Sequence, residues 1–173
     1  MSSESPRARY LYVVHREQFA DGSLGDPYLI FPTLRTRGGD NQVRPGKLID
    51  IPAQEDNPSY FTLVPTPGKG DQVAEVLSII VTAQPLDLTL TDKPLQLSKS
   101  DVESWERAWS SQTERFEMEG GAGRSWTKAE MEASSRGSSR LLTQEEPTPQ
   151  TIYRLAGKGK NTLLVTVPLR YSR

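Results

Sequence analysis

The side chains able to do chemistry are few, and most stand in the first third of the chain. His15 is the single histidine. An imidazole there is a candidate general base, or the partner of a nucleophile. It lies in a run of strand periodicity, where the default is a residue satisfied by a hydrogen bond or half exposed. No Gly-x-Ser-x-Gly elbow accompanies it, because Gly22-Ser-Leu-Gly25 lacks that spacing. A hydrolase built on His15 is the third-ranked functional reading.

Arg35, Arg37 and Arg44 form a local positive cluster around Gly38-Gly39-Asp40. Guanidinium forks at this density suit a carboxylate, a phosphate or an acidic partner. Asp40, Asp50, Glu55 and Asp56 stand close enough in sequence to neutralise them, which is the solvated-loop alternative. The same Asp50, Glu55 and Asp56 offer oxygens to calcium, but their spacing matches no EF-hand loop.

Other candidates carry less. Gly120-Gly-Ala-Gly-Arg124 offers backbone amides to an anion, yet no Gly-Lys-Ser/Thr follows. Gly157-Lys-Gly-Lys160 reads as a hairpin tip. Glu117 with Glu119, and Glu145 with Glu146, are too close in sequence to face each other as an acid/base pair. Trp105 and Trp109, four apart and on one stripe with Val102, read as a docking face of a helix in the core. Trp126 is less constrained. It is a candidate surface anchor for a sugar or a partner, together with Tyr10 and Tyr12.

Composition removes whole classes of chemistry. The 173 residues contain no cysteine, so disulfides, thiolate metal sites and cysteine nucleophiles are excluded. One histidine leaves no multi-histidine metal site. Lys and Arg number 21 against 22 Asp and Glu, so nothing favours a nucleic-acid backbone. No stretch reaches the ~18 apolar residues that span a bilayer. Residues 1–9 lack the apolar core of a secretory signal. No cofactor is expected.

The elements that must position these side chains follow from periodicity. Residues 9–19 alternate with period two, as do 73–82 and 163–170. Shorter strands are expected at 28–34, 47–51, 60–64, 86–90 and 151–155. Turn residues separate them, and 13 Gly with 13 Pro suit many such turns. Pro32 and Pro52 are expected to end strands. Ser100-Asp-Val-Glu103 and Thr127-Lys-Ala-Glu130 are capping-box patterns that predict two helices. Short connections favour antiparallel pairing. The expectation is a mainly β chain, an antiparallel sandwich with a helical insertion at about residues 98–135. It is read as a single domain over 1–173, with a flexible segment at 1–8 and a loop at 136–149.

Five motifs then follow in order. They are Tyr28-Leu-Ile-Phe-Pro32, Asn41-Gln-Val-Arg-Pro-Gly46, Ile49-Asp-Ile-Pro52, Tyr60-Phe-Thr-Leu-Val-Pro65 and Glu75-Val-Leu-Ser-Ile-Ile-Val81. The run resembles a bacterial domain-of-unknown-function family, the 4384 type, over roughly residues 9–85. The resemblance implies an immunoglobulin-like β-sandwich, often exported, in envelope or signalling proteins, and a motif in which Gly46 turns the chain with positive φ. It implies no catalytic residues. The leading expectation is therefore a non-catalytic interaction or accessory module with a protein partner, whose binding residues are Arg35, Arg37, Arg44 and Trp126. The alternative is a glycan- or small-ligand-binding sandwich that uses exposed aromatics. The envelope or the exterior is the expected compartment on the resemblance, with the cytoplasm as the other.

Overall fold

A computed structural model describes residues 1–53, 55–56, 61, 71–118, 150–156 and 161–170. In chain order the elements are β1 (Ser2–Ser3), β2 (Arg9–Phe19), β3 (Tyr28–Phe31), β4 (Gln42–Val43), β5 (Ile49–Asp50), β6 (Gln72–Thr82), β7 (Leu95–Gln96), α1 (Lys99–Trp109), β8 (Gln112–Met118), β9 (Gln150–Ala156) and β10 (Thr162–Arg170). The chain is mainly β, and its largest sheet has six antiparallel strands. The order is β10-β6-β2-β3-β7, with β4 on the β2 edge ahead of β3.

Chain contacts group Met1–Ser111 with Gly157–Arg173 as one compact unit, and Gln112–Ala156 as a second. The second contains the β8–β9 ladder, in register from Gln112↔Ala156 to Met118↔Gln150. Residues 112–118 were expected within the helical insertion and are a strand instead. Thr113, Phe116, Ile152 and Tyr153 favour pleated backbone, and the ladder pairs Phe116 with Ile152. The helix expected after Thr127 lies outside the described residues, as do the loop at 136–149 and nearly all of the strand at 60–64.

The centre of the six-stranded sheet is buried on both faces, and the sequence of β2 shows why. Leu11 and Val13 point to one face, where Phe31, Val43, Ile49 and Ile51 complete a cluster backed by Phe61, Leu77, Ile79 and Val81. Tyr12 and Val14 point to the other, where Leu29, Ile80, Val102 and Leu164 gather beneath Trp105 and Trp109. A strand covered on both sides reads as a continuous apolar run rather than a clean alternation. Each buried Leu, Ile or Phe side chain contributes roughly 1.5–3 kcal/mol.

The helix docks as its stripe predicts. Val102 is fully buried, and the half-buried Trp105 and Trp109 rings stack with centroids 5.3 Å apart. Its start differs from the capping-box expectation. Ser98 is the N-cap, with no side-chain cap bond, and its hydroxyl meets that of Ser100 at 2.7 Å. Residues 86–90 also differ. They form no strand, yet Leu86, Leu88 and Leu90 pack alternately on the helix-side cluster. The alternation there marks an extended segment facing a core without a ladder partner.

The punctuating residues behave as expected. β3 ends at Phe31 before Pro32, and β5 ends just ahead of Pro52. The peptide bonds preceding both prolines are cis. Gly46 has φ +67. The N-terminal residues, expected to be flexible, pair Ser2↔Asp50 and Ser3↔Ile49, and the Met1 amide oxygen accepts from Ile51 at 2.7 Å. At the β2–β3 turn the exposed Asp21 carboxylate accepts the Ser23 amide at 2.8 Å. The Ser23 hydroxyl, and then its amide, hold Asp21 below the usual carboxylate range.

β10 ends the sheet among the described residues. The Leu164 carbonyl accepts from the Ser111 amide, so its backbone faces away from β6. The same side of the pleat recurs at Thr166 and Pro168. Pro168 thus stands where the β6 ladder asks for no N–H, and it removes a donor from the open edge. Pro168→Thr restores that donor. It is expected to increase self-association, read as a concentration-dependent shift in sedimentation velocity. An unchanged profile would show that the edge is protected by other means.

Candidate anion-binding site

Two of the predicted arginines meet in space. Arg37, Asp40, Gln42, Arg44, Lys47 and Ile49 line a cavity of about 130 Å³. That volume has room for several water molecules. Arg35 is exposed and does not line it. Trp126 lies outside the described residues. Lys47 joins the site, although the sequence reading passed it over. The missed signal was Arg44-Pro-Gly-Lys47, a turn pattern that sets its first and last residues side by side.

Local structure places each cation. The Lys47 amide donates to the Arg44 carbonyl at 3.2 Å and closes the turn, with Pro45 and left-handed Gly46 in the middle. This matches a type II turn. The Arg44 Nε donates to the Gln42 Oε1 at 3.0 Å, which leaves its terminal nitrogens for a ligand. Val43, between Gln42 and Arg44, is buried in the core and anchors the strand. Ahead of it, the Asn41 side-chain amide donates to the Leu11 carbonyl at 3.0 Å, and the Leu11 amide donates back to the Asn41 carbonyl at 2.9 Å. The Asn41-to-Gly46 motif is thus a scaffold that presents Arg44 and Lys47.

Arg37 reaches the site from a tight turn. It has φ 52, an uncommon left-handed conformation for a non-glycine residue, and Gly38 and Gly39 follow at φ 61 and 84. Its amide donates to the Asp56 Oδ1 at 2.7 Å, while the other Asp56 oxygen accepts from the Ala53 amide at 2.7 Å. Asp56, weighed from sequence as a calcium oxygen, staples the turn instead. The Arg37 Nε donates to the Asp40 carbonyl at 3.2 Å, and the Arg37 guanidinium lies 3.8 Å from the Asp40 carboxylate. Among the described residues neither Arg44 nor Lys47 has an ion-pair partner.

His15 is placed elsewhere. Its Nε2 is paired with the buried Glu75 carboxylate, whose Oε1 accepts from Gln72 Nε2 at 2.9 Å. A carboxylate can orient an imidazole for base catalysis. Among the described residues no hydroxyl or Asp lies within hydrogen-bond reach of His15. Nor does any group of three His, Asp or Glu stand close enough to share a metal ion among them. No helix there is long and apolar enough to cross a membrane. Comparison with protein families, curated proteins and solved structures found no match for this chain.

Proposed function

We propose that this chain is a non-catalytic interaction module that recognises an anionic group on a protein partner. One observation carries the reading. In a chain whose net charge is −1, three cations converge on one cavity, and two of them have no carboxylate among the described residues. Clustering cations against the average charge costs repulsion, and a bound anion relieves it. The platform is anchored in the core, because Val43, between Gln42 and Arg44, and Ile49, which lines the cavity, are both buried. The resemblance of residues 9–85 to a bacterial family of immunoglobulin-like sandwiches fits this reading. On that proposal the β1–β5 ladder begins the second layer, supported by Ile49 and Ile51 packing on the sheet face opposite the helix.

The test is a titration of the isotope-labelled chain with an Asp/Glu-rich peptide, followed through its backbone amide resonances. Shifts are expected at Gln42, Arg44, Lys47 and Ile49, weakening as salt rises. The double variant Arg44→Ala/Lys47→Ala is expected to lose them while keeping its circular dichroism. Shifts confined to other residues, or none with this or any other anionic probe, would overturn the reading.

A further inference from the structure

The charge in the cavity narrows the class of anion, and the argument rests on the binding reading above. We infer that the site takes the dianionic phosphate of a phosphorylated residue on a protein partner. Arg37, Arg44 and Lys47 against Asp40 leave a surplus of two positive charges. A carboxylate brings one negative charge and two coplanar oxygens. A phosphate monoester brings about −1.5 to −2 at pH 7, with three terminal oxygens. Three cationic side chains, reaching the cavity from two turns, match three oxygens better than two.

The donor geometry points the same way. Gln42 holds Arg44 by its Nε, so the far edge of the guanidinium is left for a forked contact. Lys47 adds a point charge from the other end of the same turn. The Arg37 Nε is already committed to the Asp40 carbonyl, which fixes the plane of that guanidinium. Asp40 is itself held, its Oδ1 accepting from the Gln42 amide at 2.9 Å. It lines the cavity beside Arg37 and is already counted in the net surplus of two positive charges. The site is set out for a compact tetrahedral anion.

The surroundings favour a peptide over a lipid headgroup. Leu48 follows Lys47 directly and is 64% exposed, an apolar contact for the residue beside the phosphorylated one. Adsorption to an anionic bilayer needs a surplus of cations over a broad face. This chain has a net charge of −1 and gathers its surplus in one cavity.

The experiment titrates the full chain with O-phospho-L-serine amide, and separately with L-glutamate amide, reading amide resonances of residues 37–49. The phosphoserine probe is expected to bind at least about fivefold more tightly at pH 7.5, and to lose that advantage at pH 5 as the phosphate takes up its second proton. Lys47→Gln is expected to remove the preference, since it takes away one surplus charge from an exposed position. Equal affinity for the two probes would overturn the phosphate inference and leave the anion site standing. No binding of either probe, together with no response to the acidic peptide, would overturn both. Binding to vesicles containing a phosphoinositide, with no response to the phosphoserine probe, would replace the peptide with a membrane and overturn the inference as stated.

Discussion

Glu106→Ala is expected to lower the unfolding free energy by about 3–5 kcal/mol, the usual cost of leaving a buried charge without its partner. Arg16 is 3% exposed in the interior of the sheet, on the face that α1 covers. Its guanidinium is paired with the Glu106 carboxylate, which also accepts the Ser78 hydroxyl at 2.8 Å. Among the described residues the Arg16 Nε has no hydrogen-bond partner of its own. Glu106 keeps 22% of its side chain exposed, which places the effect toward the lower end of that range. The measurement is urea unfolding followed by tryptophan fluorescence, since Trp105 adjoins Glu106 in sequence. The double variant Arg16→Met/Glu106→Leu is expected to recover most of the loss, because a well-packed apolar pair of similar volume often matches a buried ion pair. A loss under about 1 kcal/mol for Glu106→Ala would mean that water already screens the pair.

That pair also shows where reading the sequence stops. The stripe of Val102, Trp105 and Trp109 is legible from spacing alone, and it docks as spacing predicts. Glu106, one position along, looks like any solvated helix residue. Only the pairing of β2 with β6 brings Arg16 and Ser78 beneath it, and register over such distances leaves no local signal. The same limit separates the candidate site residues. Arg37 and Arg44 were legible because a turn-rich stretch carried repeated guanidiniums. Lys47 was missed because its place depends on the positive φ of Gly46, although that glycine was itself read correctly. Arg35 differs from Arg37 by two positions and was read as its equal. The left-handed turn at Arg37 is what aims the one and not the other. His15 and Glu75 are the reverse case. The lone imidazole invited a catalytic reading, while the carboxylate that holds it lies 60 residues away, on the neighbouring strand. The strand at 112–118 was hidden for a related reason. Its partner is supplied by residues 150–156, and a polar stretch following a helix gives little hint of that pairing.

Asp56→Ala is expected to cost about 2–4 kcal/mol, because it removes a charged acceptor from two part-buried amides at once. Those amides belong to Arg37 and Ala53, so the substitution releases the turn that holds Arg37 at φ 52. Holding a residue with a Cβ there costs roughly 1–2 kcal/mol, and the Asp56 contact is the visible compensation. Arg37→Gly separates the two effects. It relieves the strain and adds about 0.5–1 kcal/mol of backbone entropy cost, so stability is expected to stay near that of the parent chain. It also removes one of the three cations, so affinity for the phosphoserine probe is expected to fall. The pair of variants should thus part company. Asp56→Ala loses stability and binding together, whereas Arg37→Gly keeps the first and loses the second. Urea unfolding and the probe titration, run on both, decide it. An Asp56→Ala chain as stable as the parent would show that the turn is held by contacts other than its two amide bonds. An Arg37→Gly chain that binds undiminished would remove Arg37 from the site and leave the anion to Arg44 and Lys47.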